Sequence, residues 1–212
     1  AEPVFRGAPA GSAVWVGDFA SRTLTRISSS ATAAAPRASA TVSADAPSTD
    51  IAGYPAAGKV VAVISMGGGG HTPPLAGGAF AVGEGAVWAV SAVESTLLRI
   101  DPRRNAVIAS VKIPPTEDMA VSEGAVWLTN PLQNTVTRID AVRNAVVKTI
   151  HLGFQPLGIA VSPGAVWVAD ASGPSVGVID PRTNELVKTI RVGPTTVCCS
   201  EHMSVTAGPS GV

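Results

Sequence analysis

Apolar residues in this chain come in short runs, broken at close intervals by Gly, Pro, Asp and Asn. Between Gly158 and Val192 the runs are "GIAVS", "AVWVAD", "SVGVID" and "ELVKTIRV". Each has strand length, and none carries the three-and-four spacing of an amphipathic helix. In "TVTRID", Thr135–Asp140, Val136 and Ile139 bracket polar Thr and Arg. Pro163-Gly164 turns the chain between the first two runs. The tetrapeptides "PRRN", "AVRN" and "PRTN", each after an Ile-Asp pair, read as hairpin turns. Asp there accepts hydrogen bonds from backbone N–H groups two residues on, and Asn tolerates positive φ at the turn's end. The predicted unit is four short antiparallel strands.

The unit repeats. "GAVW" occurs at Gly85–Trp88, Gly124–Trp127 and Gly164–Trp167, with the tryptophans 39 and 40 residues apart. Ile100-Asp101, Ile139-Asp140 and Ile179-Asp180 begin twelve residues after their Trp, and Asn105, Asn144 and Asn184 follow at seventeen. A four-stranded repeat of about 40 residues is the sequence signature of a β-propeller blade. The units "GAVWVADASGPSVGVIDPRTNELVKTIRVG" and "GAVWLTNPLQNTVTRIDAVRNAVVKTIHLG" resemble the YVTN-type propeller repeat, which is also seen in streptogramin B lyases. The resemblance covers residues 75–193 tightly and the flanks loosely. It implies an all-β propeller fold and is nearly silent on chemistry.

Towards the N-terminus, "AVWVGDF" aligns Trp15 with the other tryptophans, and "KVVAVIS" supplies a fourth strand, with a surplus of 26 residues between them. No obvious first strand precedes it. At the far end "MSVTAGPSGV" resembles a first strand and turn and stops where the next Trp is due. The expected architecture is a single propeller domain of four blades with four antiparallel strands each. Blade 1 takes residues 13–66 plus a C-terminal closing strand from 203–212, with a flexible insertion at 29–57. Blade 2 takes 76–113, blade 3 takes 117–152 and blade 4 takes 156–192. Two alternatives stay open. The insertion could hide a degenerate blade, or the four units could belong to a larger propeller, leaving an apolar edge that needs a partner.

Charge narrows the function classes. Lys+Arg and Asp+Glu both number 15, and charged residues make up only 14% of the 212-residue chain. A balanced chain lacks the basic excess that a nucleic-acid surface needs, so no nucleic-acid partner is expected. The apolar "VVAVIS" soon meets Gly67–Gly70, His71 and two prolines, so no membrane span is expected there. The opening "AEPVF" is how a secreted or periplasmic protein looks after removal of a signal peptide.

The tryptophans, recurring at one blade position, read as packing residues. Asp101, Asp140 and Asp180 read as turn residues. Lys112, Lys148 and Lys188, with Arg99 and Arg138, read as solvated outer charges. Candidate chemistry gathers in the connections from each fourth strand to the next first strand. His71 lies in the first, Glu117, Asp118 and Met119 in the second, and His151 opens the third. The fourth carries "VCCSEHM", with Cys198, Cys199, His202 and Met203. These connections hold every histidine and both cysteines of the chain. Imidazole and thiolate are ligands for zinc and copper, and thioether sulfur favours copper(I). His71 and His202 as exposed loop residues, with His151 capping the end of a strand, account for the same pattern. The adjacent cysteines can form a strained vicinal disulfide, bind a thiophilic metal, or link to a partner subunit. No CxxC, HExxH, GxSxG or phosphate-loop motif is present.

Two functions follow as expectations. One is an extracytoplasmic binding or assembly module that presents one loop face to a protein partner or small ligand, with Ile51 and Tyr54 of the insertion as partner contacts. The other is a copper- or zinc-dependent enzyme or redox-accessory protein with its site at the channel mouth. The resemblance to streptogramin B lyases implies metal-assisted ring opening as a third, but the His and Glu residues of that chemistry have no matching motif in this chain.

Overall fold

The short apolar runs form antiparallel strands, organised as four-stranded sheets that follow chain order. A computed structural model describes the backbone of residues 5–10, 13–18, 23–28, 60–65, 79–91, 94–192 and 205. In the first sheet β1 (Phe5–Ala10), β2 (Ala13–Asp18), β3 (Thr23–Ser28) and β4 (Val60–Ser65) pair in sequence. The second holds β5 (Phe80–Gly83), β6 (Ala86–Ser91), β7 (Thr96–Asp101) and β8 (Ala106–Lys112). The third holds β9 (Met119–Ser122), β10 (Ala125–Asn130), β11 (Thr135–Asp140) and β12 (Ala145–His151). The fourth holds β13 (Pro156–Ser162), β14 (Ala165–Asp170), β15 (Ser175–Asp180) and β16 (Glu185–Arg191). No described helix is long and apolar enough to cross a membrane.

The first sheet corrects one expectation. Its first strand is β1, which pairs with β2 from Phe5↔Asp18 to Ala10↔Ala13. The other edge of β2 pairs with β3, so the seat assigned to residues 203–212 is already filled. Those residues, apart from Val205, lie outside the described part of the chain. "FRGAPA" carries Arg, Gly and Pro instead of an apolar alternation, which is why pattern alone passes over it. The 26-residue surplus falls where the alignment puts it, between β3 and β4. These two strands still pair directly, Ile27 opposite Val60.

Turn chemistry is regular at one end of the sheets. Between β5 and β6, Glu84 and Gly85 have φ of 51° and 70°, and between β9 and β10, Glu123 and Gly124 have 55° and 72°. Two successive left-handed residues make a type I′ turn, whose twist matches that of the strands. In the turns before β8, β12 and β16, Asn105, Asn144 and Asn184 are left-handed with φ of 52°, 54° and 59°. Each of these donates its backbone N–H to the carbonyl of the Asp four residues back, at 2.8–2.9 Å. The carboxylates of Asp101, Asp140 and Asp180 accept the N–H groups of Arg103, Val142 and Arg182 at 2.7–2.8 Å. Such backbone donors, foremost those of Arg103, Arg143 and Arg182 respectively, hold the three carboxyls below the usual aspartate range.

A bulge interrupts the outermost pairing of every sheet, at Arg26/Ile27, Arg99/Ile100, Arg138/Ile139 and Val178/Ile179. The extra residue is Val61, Ile108, Val147 or Val187. Bulges bend an outer strand away from flatness and make it a poor template for edge-to-edge pairing.

Each sheet packs one face on the next sheet in sequence. Leu24 and Ile64 of the first sheet cluster with Val87, Ala89, Leu98 and Ile100 of the second. The opposite face of the second, with Ala86, Trp88 and Leu97, packs on Val126, Leu128 and Ile139 of the third. The third repeats the arrangement, with Trp127 and Val136 against Val166, Val168 and Ile179 of the fourth. Trp88 and Trp127 are fully buried, in agreement with the packing role read from their repetition. Complete burial of each such ring is worth several kcal/mol, about 25 cal/mol per Å² of apolar surface.

Arg99 and Arg138 are not solvated outer charges. Each guanidinium lies over the Trp of its own sheet, 5.3 Å from the ring centre of Trp88 and 5.1 Å from that of Trp127. From there it crosses to the Asn turn of the next sheet. Arg138 Nη1 donates to Pro181 O at 2.7 Å and Asn184 Oδ1 at 2.6 Å. Arg99 Nη1 reaches Asn144 Oδ1 at 3.2 Å. Arg26 makes the same link one sheet earlier, to Pro102 O at 2.7 Å and Asn105 Oδ1 at 3.1 Å. The sequence position is misleading because Arg points along a sheet face that is solvent-exposed only until the next sheet covers it. The turn Asn thus has two duties, a left-handed backbone and an acceptor for the preceding sheet.

Replacing Arg138 by Met keeps its bulk and removes these hydrogen bonds. In urea unfolding Arg138→Met is expected to cost about 1.5–3 kcal/mol, the range of hydrogen bonds to a charged group. Asn184→Ala costs less. The double variant falls short of the sum by at least about 0.5 kcal/mol, the coupling of a direct contact. Strict additivity would remove the link.

Candidate functional site

The end opposite the Asn turns is built differently. It carries the connections into β9 and β13 (residues 113–118 and 152–155) and those between second and third strands (131–134 and 171–174). These segments share no sequence from one sheet to the next. In the second, third and fourth sheets the residue closing the second strand is polar and buried, and is different in each: Ser91, Asn130 and Asp170.

Asn130 is fully buried and uses its whole carboxamide. Its Nδ2 donates to Pro115 O at 3.3 Å and Thr116 Oγ1 at 3.1 Å. Its Oδ1 accepts the hydroxyls of Thr135 at 3.3 Å and Thr137 at 2.7 Å. Thr116 in turn donates to Pro114 O at 2.9 Å. Two donors and two acceptors are thereby satisfied, which is the condition for burying an amide without penalty. The result holds residues 114–116 against the sheet.

Thr129 and Asp118 tie the third sheet to the fourth. Thr129 Oγ1 donates to Leu157 O at 2.8 Å and accepts the Asp118 N–H at 3.0 Å. Asp118 Oδ2 accepts the N–H of Ile159 at 3.2 Å. In the fourth sheet Asp170 accepts the Ser172 N–H at 2.8 Å and the Ser175 hydroxyl at 2.7 Å, closing the 171–174 loop on itself. Between the Asn130 and Asp170 systems stands an exposed 3₁₀ turn, Pro131–Gln133, with Leu132 77% exposed.

The candidate ligands within the described residues do not meet. His151 ends β12, the outermost strand of the third sheet, and its side chain is exposed. Glu117 and Asp118 lie next to β9, at the inner edge of the same sheet. Three strand spacings, roughly 14 Å, separate those edges. Asp118 is engaged with the fourth sheet, and Glu117 is half-buried. Among the described residues no three His, Cys, Asp or Glu side chains come together. His71, Cys198, Cys199, His202, Met203, Ile51 and Tyr54 lie outside the described residues.

Sequence reading passes over Asn130, Thr129 and Asp170. Their signal is polar residues ending an apolar strand, the pair Thr129-Asn130 in "WLTN" of the third sheet and the single Asp170 in "VAD" of the fourth. Only the neighbouring connections show what those polar groups hold.

No protein-family model matches this chain, and no curated protein matches it either. Solved structures do. Hydrazine synthase from Kuenenia stuttgartiensis is 14% identical over 88% of this chain and 48% of its own, with a TM-score of 0.62. A streptogramin B lyase is 13% identical over 89% of this chain and 54% of its own, also at 0.62. BamB from Moraxella catarrhalis is 12% identical over 87% and 47%, at 0.55. The chain therefore spans about half the length of the structures it matches. Identity at this level carries the fold and no activity.

Asn130→Ala strands two threonine hydroxyls and frees residues 114–116. Urea unfolding is expected to show a loss of about 1–3 kcal/mol, the cost of unsatisfied buried polar groups. Amide exchange at Thr116 and Glu117 should quicken more than at Thr149 and Ile150; uniform quickening would deny the local role. The stacked four-stranded sheets, their register and these structural matches place the chain in the β-propeller fold.

Proposed function

We propose that the protein is an extracytoplasmic binding or assembly module that presents the end bearing residues 113–118, 131–134, 152–155 and 171–174 to a protein partner or small ligand. The observation that carries this reading is an asymmetry between the two ends. At the Asn-turn end the same Asp, Asn and Arg chemistry recurs because folding requires it. At the other end each connection is different, yet buried side chains such as Asn130 and Asp170 hold the loops in place. Individually shaped loops on a rigid repeating scaffold are where binding surfaces of such folds arise. The balanced charge suits a protein or small-molecule partner better than a polyanion. Ile51 and Tyr54 of the insertion are candidate partner contacts.

Leu132 and Val142 allow a direct test, since they are 77% and 78% exposed on opposite ends. A photo-crosslinking amino acid is placed at one or the other, and the protein is irradiated in a periplasmic or culture-supernatant extract. A discrete adduct from position 132 and none from position 142 is expected. Equal labelling at both positions, or at neither, counts against a dedicated face.

A second reading rests on the sequence positions of His71, Cys198, Cys199 and His202, which lie between Ser65 and Phe80 or after Arg191, and of His151, the last residue of β12. In it His71, Cys198, Cys199, His202 and Met203 supply ligands for copper or zinc at the channel mouth; His151 and the Glu117–Asp118 pair, a sheet's width apart, would not share one ion. Elemental analysis after adding copper or zinc decides. At least about 0.8 metal per chain is expected, falling below about 0.2 in a His71→Ala/His202→Ala double variant, as loss of coordinating imidazoles requires. A chain that holds no metal, or a variant that keeps it, removes this reading.

A further inference from the structure

We infer that the third and fourth sheets move as one rigid body, and that the chain shears at the joint between the second and third sheets. The two joints follow the same apolar rule and differ in the polar groups that cross them. Between the third and fourth sheets Arg138 donates to Pro181 O at 2.7 Å and to Asn184 Oδ1 at 2.6 Å. Three further hydrogen bonds span that joint. Thr129 Oγ1 donates to Leu157 O at 2.8 Å, and Asp118 Oδ2 accepts the Ile159 N–H at 3.2 Å. At the opposite end of the inner strands, Glu123 Oε1 accepts the Gly164 N–H at 2.9 Å. The two carboxylates make charge-assisted bonds, which are stronger than neutral ones.

Between the second and third sheets a single hydrogen bond crosses among the described residues, from Arg99 Nη1 to Asn144 Oδ1 at 3.2 Å. The sequence accounts for the difference. The Val90 N–H donates to Ala79 O just as the Thr129 N–H donates to Asp118 O, so Ala79 and Val90 occupy the places of Asp118 and Thr129. A methyl and an isopropyl group cannot bridge to the next sheet. Glu84 shares the left-handed turn position of Glu123, with φ of 51° against 55°. Among the described residues its carboxylate makes no matching bond to Gly124.

What remains at this joint is apolar. Trp88, Leu97, Val126, Leu128 and Ile139 form one buried cluster across it. Apolar burial resists separation and has no direction, whereas hydrogen bonds fix lateral position. Such a joint allows small sliding of packed elements, the shear mode of conformational change. The connection 113–118 is fastened to the third sheet by Asn130. Residues 113–118, 131–134, 152–155 and 171–174 therefore all ride on the rigid pair. Shear reorients that loop end as one piece against the second sheet, whatever the end binds.

Two tryptophans at the same place in their sheets report on the two joints. Trp88 is fully buried in the second joint and Trp127 in the third. Exchange of their indole N–H groups with heavy water is followed by NMR on the full native chain. The Trp88 proton should exchange at least about tenfold faster, because the joint with fewer cross-links opens to solvent more often. This order runs against local bonding. Trp88 Nε1 donates to Gly83 O at 3.3 Å, while Trp127 Nε1 has no partner among the described residues. Thr129→Val and, separately, Glu123→Ala should each quicken Trp127 at least about threefold and leave Trp88 unchanged. Equal rates in the wild type, or a slower Trp88, overturn the inference. A Trp127 rate that neither variant moves overturns it too, since the bridges then do not lock the pair. Glu123 lies on an exposed turn, so its variant serves even where Thr129→Val does not fold.

Discussion

A four-stranded sheet with two apolar faces cannot stand in water, and every other feature of this protein depends on how each sheet covers the next. The rule is a face with a large flat ring, Trp88 or Trp127, laid on a face of branched aliphatic side chains. It demands a near-constant strand length, since an offset of one residue turns the apolar set to the wrong side. It also demands tight connections, met by left-handed Glu-Gly and Asn residues at one end. At the inner edge the approach is close enough to select for glycine. A Cβ on Gly83 would lie 2.7 Å from Val121 Cγ1.

Packing of this kind is not directional, and a stack of similar apolar faces could slide. The arginine that crosses each interface supplies direction. In the second and third sheets it rests on the Trp of its own sheet, and at each described interface it ends on a carbonyl or carboxamide of the next sheet's Asp-Asn turn. A planar cation with donors in a rigid fork suits both contacts, and Lys could not make them together. Since the acceptor turn is itself held by the Asp carboxylate, one short motif sets hairpin register and sheet-to-sheet register at once.

The two ends of the sheets consequently work under different constraints. One is occupied by interactions that recur between sheets, the Asp-Asn turn in the second to fourth and the crossing Arg in the first to third. The other is held by hydrogen-bond systems that each sheet builds in its own way, around Asn130 in one and Asp170 in another. Specific recognition needs that kind of end, with loops of individual shape over a core that does not move.

Sequence by itself determined the repeat, the strands, the turns and the all-β class. The reason is that "GAVW", Ile-Asp and the turn Asn are local requirements repeated at a constant spacing. It also located the insertion between β3 and β4, because the surplus is counted against the other units. Three things needed tertiary structure. The strand Phe5–Ala10 has no apolar alternation and is recognised only by its partner β2. Arg99 and Arg138 read as solvated residues because the surface that covers them belongs to another sheet, dozens of residues away. His151 and Asp118 read in sequence as members of one ring of connections, yet the width of a sheet stands between them, a distance that no spacing along the chain records.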